Sequence, residues 1–126
     1  MDAPAARLRA ILQREVVVHR ELLRLARSRH ILLHQGRFEE AADLAVLEAA
    51  YIVTLRDLEF RRSALARQVP GADRVTVRST RQIAALVRGL GAVERANREL
   101  WSQRVLAPVL AAVAAAARPA ARAGLN

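Results

Sequence analysis

The placement of helix-breaking residues constrains this chain more than any other feature of its sequence. Between Pro4 and Gly36, and again between Gly36 and Pro70, the chain contains neither Pro nor Gly. Apolar side chains recur every three or four residues along both runs, which is the period of an amphipathic helix. In the first run they form two adjacent seams, which is typical of a helix that touches two partners. We therefore predict two long helices, over about residues 4–35 and 37–68, which the short link at Gly36 turns into an antiparallel hairpin.

A third helix is predicted after this second break. Residues 70–78 are predicted to form a connecting loop. Ser79 and Gln82 match the spacing of a capping box, and Thr76 is the alternative N-cap. The periodic apolar pattern that follows predicts a helix over residues 79–117.

Two prolines bear on the C-terminal part of the chain. Pro108 is expected to kink or end the third helix, because proline removes a backbone donor and its ring clashes with the preceding turn. Pro119 is expected to stop any helix that continues. We therefore predict a single helical domain over residues 1–118, followed by a flexible tail over residues 119–126.

The composition supports an all-α fold and excludes several other classes. Aromatic residues make up 3% of the chain, although sandwiches and barrels draw heavily on them, and much of the 53% hydrophobic content is alanine. The absence of cysteine excludes a disulfide scaffold, a thiolate zinc site and cysteine catalysis. The predicted architecture is a long antiparallel helical hairpin with a third helix packed along it, as in a coiled-coil-like three-helix bundle.

No targeting or membrane-spanning segment is predicted. The N-terminus has no apolar run of the length that a signal peptide requires. The longest charge-free apolar run, residues 105–117, is interrupted by Pro108 and is shorter than the ~18 residues of a membrane span. We therefore expect a cytoplasmic protein without membrane insertion.

The charge is strongly positive and uneven along the chain. The formal net charge is +9, and every basic residue is an arginine. It divides into +4 over residues 1–36, −1 over residues 37–69 and +6 over residues 70–126. This pattern favours charge complementarity between an acidic middle helix and two basic ones, and a basic nucleic-acid-binding face is the alternative.

The sequence contains little that points to catalysis or to a cofactor. His30 and His34 have the i, i+4 spacing of a metal-binding pair, but no general base or third ligand accompanies them, and histidine is favourable at a helix C-terminus anyway. Arg14, Arg29 and Glu48 resemble in position the charged residues of helical chorismate mutases, whose active site also uses lysine, which this chain lacks. We expect no enzymatic activity, no metal and no cofactor.

The run LLRLARSRHILLHQGRFEEAADLAVLEAAYIVTLRDLEFRRSALA resembles the FlgN-type flagellar export chaperones. The resemblance rests on a long helix that closes with Leu32-Leu33, on a glycine turn with an acidic helix start over residues 36–40, and on a helix that closes with residues 59–62. The later run AVERANRELWSQRVLAPVLA resembles the third helix of that family, in which an asparagine precedes two large apolar residues. Together these similarities cover roughly residues 8–113.

The resemblance implies a function in type III export. Such chaperones bind the C-terminal helices of hook-associated proteins, which form the hook–filament junction, keep them soluble and deliver them to the flagellar export gate. A basic helical nucleic-acid-binding or regulatory protein stays open as the alternative function. Whether the chain forms a homodimer through its client-binding groove also stays open.

The third helix is the candidate wall of a client groove, because it has more large apolar residues than one packing face requires. Five of these residues could equally form the third wall of a closed core: Leu86, Leu90, Val93, Leu100 and Val105. The lone Trp101 is favoured as an interface anchor. Asn97 is either an interhelical hydrogen-bonding residue or a solvated one. The candidate client-binding residues are Leu86, Val87, Leu90, Val93, Asn97, Leu100, Trp101 and Val105.

Overall fold

The computed structural model describes residues 3–124, with side chains described for residues 3–118. Within this part the chain forms helices and no strand, which confirms the all-α class. The elements are α1 (Ala3–His34), α2 (Phe38–Ala66), α3 (Arg74–Trp101), a π-helical segment (Ser102–Leu106) and α4 (Ala107–Gly124).

The long helix α1 lies between α2 and α3 and packs on both of them, whereas α2 and α3 hardly touch each other. Helix α2 returns antiparallel to α1. Helix α3 runs parallel to α1, because Asp73 at its start pairs with Arg9, while Asn97 near its end bonds to Ala26 and His30. The predicted third helix packed along a hairpin is therefore confirmed, with α1 as its partner.

The core follows from the wide apolar face of α1. One cluster joins Val18 and Leu22 of α1 to Leu55 and Leu58 of α2. A second cluster, at the closed end of the hairpin, contains Leu33, Ala41 and Leu100. A helix that touches two partners needs two adjacent apolar seams, and burying both explains why α1 supplies most of the buried residues.

Gly36 ends α1 as predicted, with φ +73° in the left-handed region. Its N–H donates to the carbonyl of Leu33 at 3.2 Å, and the N–H of Arg37 donates to the carbonyl of Leu32 at 2.9 Å. These two bonds form a Schellman motif, which satisfies carbonyls that the end of a helix leaves unpaired. Helix α2 then begins at Phe38 with the acids Glu39 and Glu40 in its first turn.

Helix α3 begins earlier than predicted, at Arg74 rather than Ser79. The N-cap is Asp73, whose carboxylate accepts a hydrogen bond of 2.8 Å from the backbone N–H of Thr76 and one of 2.7 Å from Arg9. An aspartate with two donors is a stronger cap than a threonine or serine further on. Ser79 instead lies inside the helix and is buried toward α1.

Neither Pro108 nor Pro119 ends the helix. The five residues before Ala107 widen into a π-helix, in which the N–H of Ala107 donates to the carbonyl of Ser102. This wider turn accommodates the ring and the missing donor of Pro108, so the prediction of a kink or an end is replaced by a change of helix type. The backbone of α4 continues through Pro119 to Gly124, and residues 125–126 of the predicted tail lie outside the described residues.

Candidate functional site

Two of the predicted client-binding residues lie in the core and do not face solvent. Asn97 is 1% exposed and Leu100 is 8% exposed. Leu100 packs against Leu33 and Ala41, where the closed end of the hairpin meets α3. Asn97 and Leu100 are three residues apart, so they lie on the same face of α3. That face packs against α1, and both residues therefore attach α3 to α1.

Asn97 links α3 to α1 through its side-chain amide. Its Nδ2 donates to the carbonyl of Ala26 at 3.0 Å, and its Oδ1 accepts from Nδ1 of His30 at 2.8 Å. The amide orientation therefore places the proton of His30 on Nδ1. The sequence left Asn97 between an interhelical bond and a solvated position, and the first of these is the one found.

His30 and His34 do lie together, with ring centroids 4.8 Å apart in an edge-to-face arrangement. The bond from Nδ1 of His30 to Asn97 gives His30 a structural role in holding α3. Among the described residues, no group of three or more metal-ligating side chains comes together.

The other predicted residues of α3 are half-buried or exposed. Leu90 is half-buried and packs against the cluster formed by α1 and α2. The half-buried residues along the same edge are Leu86, Val93 and Val105. Val87 and Trp101 are exposed, at 48% and 45%. Of the predicted set, therefore, Val87 and Trp101 are the side chains most available to a partner.

Trp101 stands at the edge of an apolar groove between α2 and α3. The groove has a volume of about 520 Å³, and its floor is formed by the end of α1. Its apolar lining is Leu33, Ala41, Ala42, Ala45, Trp101 and Leu106. The indole packs edge-to-face on the ring of Phe38, with centroids 6.3 Å apart, which holds one side of the ring and leaves the other open.

The groove exists because α2 and α3 diverge over α1, and Arg29 spans the gap beneath it. Its Nε donates to Glu48 of α2 at 2.7 Å, and its Nη2 donates to Glu94 of α3 at 2.6 Å. Burial opposes the charge of Arg29, but its bonds with Glu94 and Glu48 outweigh this, so the net pKa of Arg29 is raised. Burial also raises the pKa of Glu48, against the opposing effect of Arg29.

A second buried polar cluster lies near the open end of the hairpin. Glu15 is 1% exposed and accepts a bond of 2.8 Å from Nε of Arg62, while its other oxygen has no partner among the described atoms. His19, one turn along α1, is also buried, with Nδ1 unpartnered. Burial raises the pKa of Glu15 and lowers that of His19, because it disfavours the charged form of each.

Helix α2 carries an exposed apolar row that was not predicted from the sequence. Val46, Val53 and Phe60 are spaced by seven residues and are 71%, 68% and 77% exposed. Regular spacing along an outward face was the available signal, but a seam of three residues is not distinguished by sequence from scattered surface residues.

Four arginines follow one another at seven-residue intervals on the exposed face of α3: Arg74, Arg81, Arg88 and Arg95. At 1.5 Å per residue, neighbouring arginines are about 10 Å apart along the helix. None of the four forms an ion pair in the part of the chain that the structure describes. We call these residues the arginine ridge.

The C-terminal helix is the most apolar part of the described chain. Within residues 74–118, one 18-residue window has a mean hydropathy of 1.4, which by length and composition suffices to cross a membrane. Only 6% of that window is buried. No membrane span was predicted from the sequence. Arg104 and Arg118 bound the apolar run, so this 18-residue window contains charge.

Comparison with known proteins gives no relative for this chain: no protein-family model, no curated protein and no solved structure matches it.

Proposed function

We propose that this protein is a flagellar type III export chaperone that binds the C-terminal helices of hook-associated proteins and keeps them soluble in the cytoplasm. The observation that supports the proposal is the apolar groove between α2 and α3, with the half-exposed Trp101 at its edge. An amphipathic helix that cannot bury its apolar stripe alone would place that stripe in such a groove.

The shape of the groove fits a row of side chains from a helix. Its lining is made of small alanines on α2 and of larger side chains on α3 and the π-helical segment, so a client side chain can approach the backbone of α2 closely. A groove of this size is within the range of pockets that hold a specific ligand. Trp101 would supply the anchor, since tryptophan is enriched among residues that carry most of the binding energy.

The rim of the groove is basic. Arg98 lines it on α3, and Arg29 lies at its floor, where Glu48 and Glu94 already pair with it. An amphipathic client helix with acidic residues beside its apolar stripe would complement Arg98. Arg98 is exposed and forms no ion pair in the described structure, so it can take such a partner without breaking an existing contact.

The proposal is tested with Trp101, which is the single tryptophan of the chain. Peptides of the C-terminal helices of hook-associated proteins from the same bacterium should shift its fluorescence to the blue, because the indole loses contact with water. Trp101→Ala should weaken binding of a labelled peptide by about thirtyfold, which corresponds to roughly 2 kcal/mol for an interface anchor.

Phe60→Ala is the matched control, because Phe60 is an exposed aromatic residue outside the groove lining. It should bind the peptides as the unaltered protein does. Circular dichroism must show that both variants keep the helical content of the parent. No binding of any such peptide at 100-fold excess, or an equal loss for both variants, would reject the proposed function.

A further inference from the structure

Helix α4 is left uncovered by the rest of the fold. Within the described part of the chain, its one substantial packing contact is with the π-helical segment that precedes it. Four large apolar residues at the i, i+3, i+4 and i+7 spacing of one helical face are about half exposed: Leu106, the last residue of the π-helical segment, which also lines the groove, and Val109, Leu110 and Val113 of α4. We call these four residues the α4 stripe.

Arginines lie at both ends of the charge-free segment that carries the α4 stripe. No charged residue occurs from position 105 to position 117. Arg104 and Arg118 bound this segment, and helical spacing places both on the side of the helix away from the α4 stripe. The arginine ridge continues the positive charge along α3, and none of its members is neutralised by a carboxylate in the described chain.

The length of the charge-free segment favours a helix that lies on a membrane over one that crosses it. Thirteen residues at 1.5 Å each extend about 20 Å, against the ~30 Å of a hydrocarbon core. Every 18-residue window of the helix over residues 74–118 contains at least one arginine. An amphipathic helix with an apolar stripe and a basic face binds in the plane of the interface.

We propose that α4 binds the surface of an anionic phospholipid bilayer, with the α4 stripe in the acyl-chain boundary and the arginines at the headgroups. Two observations select this partner. The uncovered stripe favours an apolar surface, which a nucleic acid does not offer, and the unpaired arginines favour an anionic one. The inference goes beyond the sequence-based expectation of no membrane insertion, and it does not depend on the proposed function.

The experiment is flotation of the full-length protein with vesicles of phosphatidylglycerol and phosphatidylcholine, and with vesicles of phosphatidylcholine alone. The protein should float with the anionic vesicles and bind the neutral ones at least tenfold more weakly. Fluorescence of Trp101, which immediately precedes the π-helical segment, should shift to the blue with the anionic vesicles.

Two substitutions in α4 separate insertion from simple charge attraction. Leu110→Asp lies in the α4 stripe, and Ala111→Asp adds the same charge on the other side of the helix. Neither residue packs against α1, α2 or α3, so both variants should keep the parent melting temperature. Leu110→Asp should lower the affinity for anionic vesicles at least tenfold, and Ala111→Asp should lower it threefold or less.

Replacing two members of the arginine ridge, Arg81→Glu with Arg88→Glu, should also lower this affinity at least tenfold. The proposal is overturned by equal losses for the two aspartate variants, since charge alone would then drive adsorption. The proposal is also overturned if the protein does not bind vesicles. This holds whether the protein instead binds duplex DNA or forms a dimer that Leu110→Asp abolishes.

Discussion

Gly36 sets the return of α2 along α1 through its backbone alone. Its φ is +73°, and no atom lies within 4 Å of the position that a Cβ would occupy. Any cost of a larger side chain therefore comes from the left-handed conformation and not from a steric clash with neighbours. The sequence predicted this position because a glycine between two breaker-free runs is the usual end of a helix.

Gly36→Val should lower the free energy of unfolding by roughly 1 kcal/mol or more, because a β-branched residue is strained in the left-handed region. Gly36→Asn is the matched control and should cost less, since asparagine tolerates this conformation. Urea unfolding followed by circular dichroism measures both. Equal stability of the valine and asparagine variants would show that the turn does not need a positive φ.

His19 is a residue whose role the sequence did not indicate, because it occupies a position on the apolar face of α1. Burial lowers its pKa below the ordinary value of 6.5, the charge of Glu59 opposes this shift, and Arg62 adds to it. The folded state therefore favours neutral His19. Its contribution to stability is present above the ordinary pKa and is lost as the pH falls below it.

His19→Leu should remove this pH dependence. At pH 7 the variant should be about as stable as the parent or more stable by roughly 1 kcal/mol, because it removes a buried nitrogen that has no partner. Between pH 7 and pH 5 the parent should lose more stability than the variant. The measurement is urea unfolding of the parent and the variant at each pH.

The contributions of Glu15 and Glu48 to stability change with pH in the direction opposite to that of His19. The variant must therefore be compared with the parent at each pH. Burial raises the pKa of both Glu15 and Glu48 above their ordinary value of 4.5. Their contribution to stability is present below that value and is lost as the pH rises through their raised pKa values. A parent and a variant with the same slope between pH 7 and pH 5 would contradict the assignment of the pH dependence to His19.

At the scale of the elements, the sequence predicted the hairpin better than the attachment of α3. The two seams of α1 indicated two partners, and α2 and α3 are those partners. The start of α3 was predicted five residues late, because a capping box was preferred to an aspartate whose second donor, Arg9, lies far away in sequence. A long-range contact of this kind cannot be read from local spacing.

Asn97 is the polar attachment of α3 to α1, and removing its amide should loosen that helix. Asn97→Ala should lower the free energy of unfolding by roughly 2 kcal/mol, because it deletes two buried hydrogen bonds and leaves His30 without its partner. Arg98→Ala, at the exposed neighbouring position, should cost less than ~0.5 kcal/mol. Urea unfolding followed by Trp101 fluorescence reports on α3 directly, and equal stability of the two variants would contradict the role of Asn97.

At the scale of the whole molecule, the open arrangement of α2 and α3 on α1 decides which predicted site residues face solvent. Periodicity places Leu100 and Trp101 on adjacent faces of one helix, and only the crossing of the helices settles which of them is buried. Leu100 is buried and Trp101 is half exposed. The sequence also did not predict that the helix continues beyond Pro108, because this continuation depends on a change from α to π geometry.

The distribution of charge leads to a prediction for the molecule as a whole. A chain with a net charge of +9 binds anionic polymers to some degree, so affinity alone does not separate a chaperone from a nucleic-acid-binding protein. The dependence of each affinity on salt concentration does separate these two functions. Apolar capture of a client helix in the groove of Trp101 releases few counterions, whereas several arginine–phosphate contacts release many.

Binding of the C-terminal peptide of a hook-associated protein should therefore change by less than about fivefold between 50 and 200 mM salt, and binding of duplex DNA or RNA should fall by orders of magnitude over the same range. Fluorescence anisotropy with labelled peptide and labelled duplex, on the same protein preparation, makes the comparison. If the peptide affinity falls as steeply with salt as the duplex affinity, the arginines bind both ligands and the groove does not explain peptide binding.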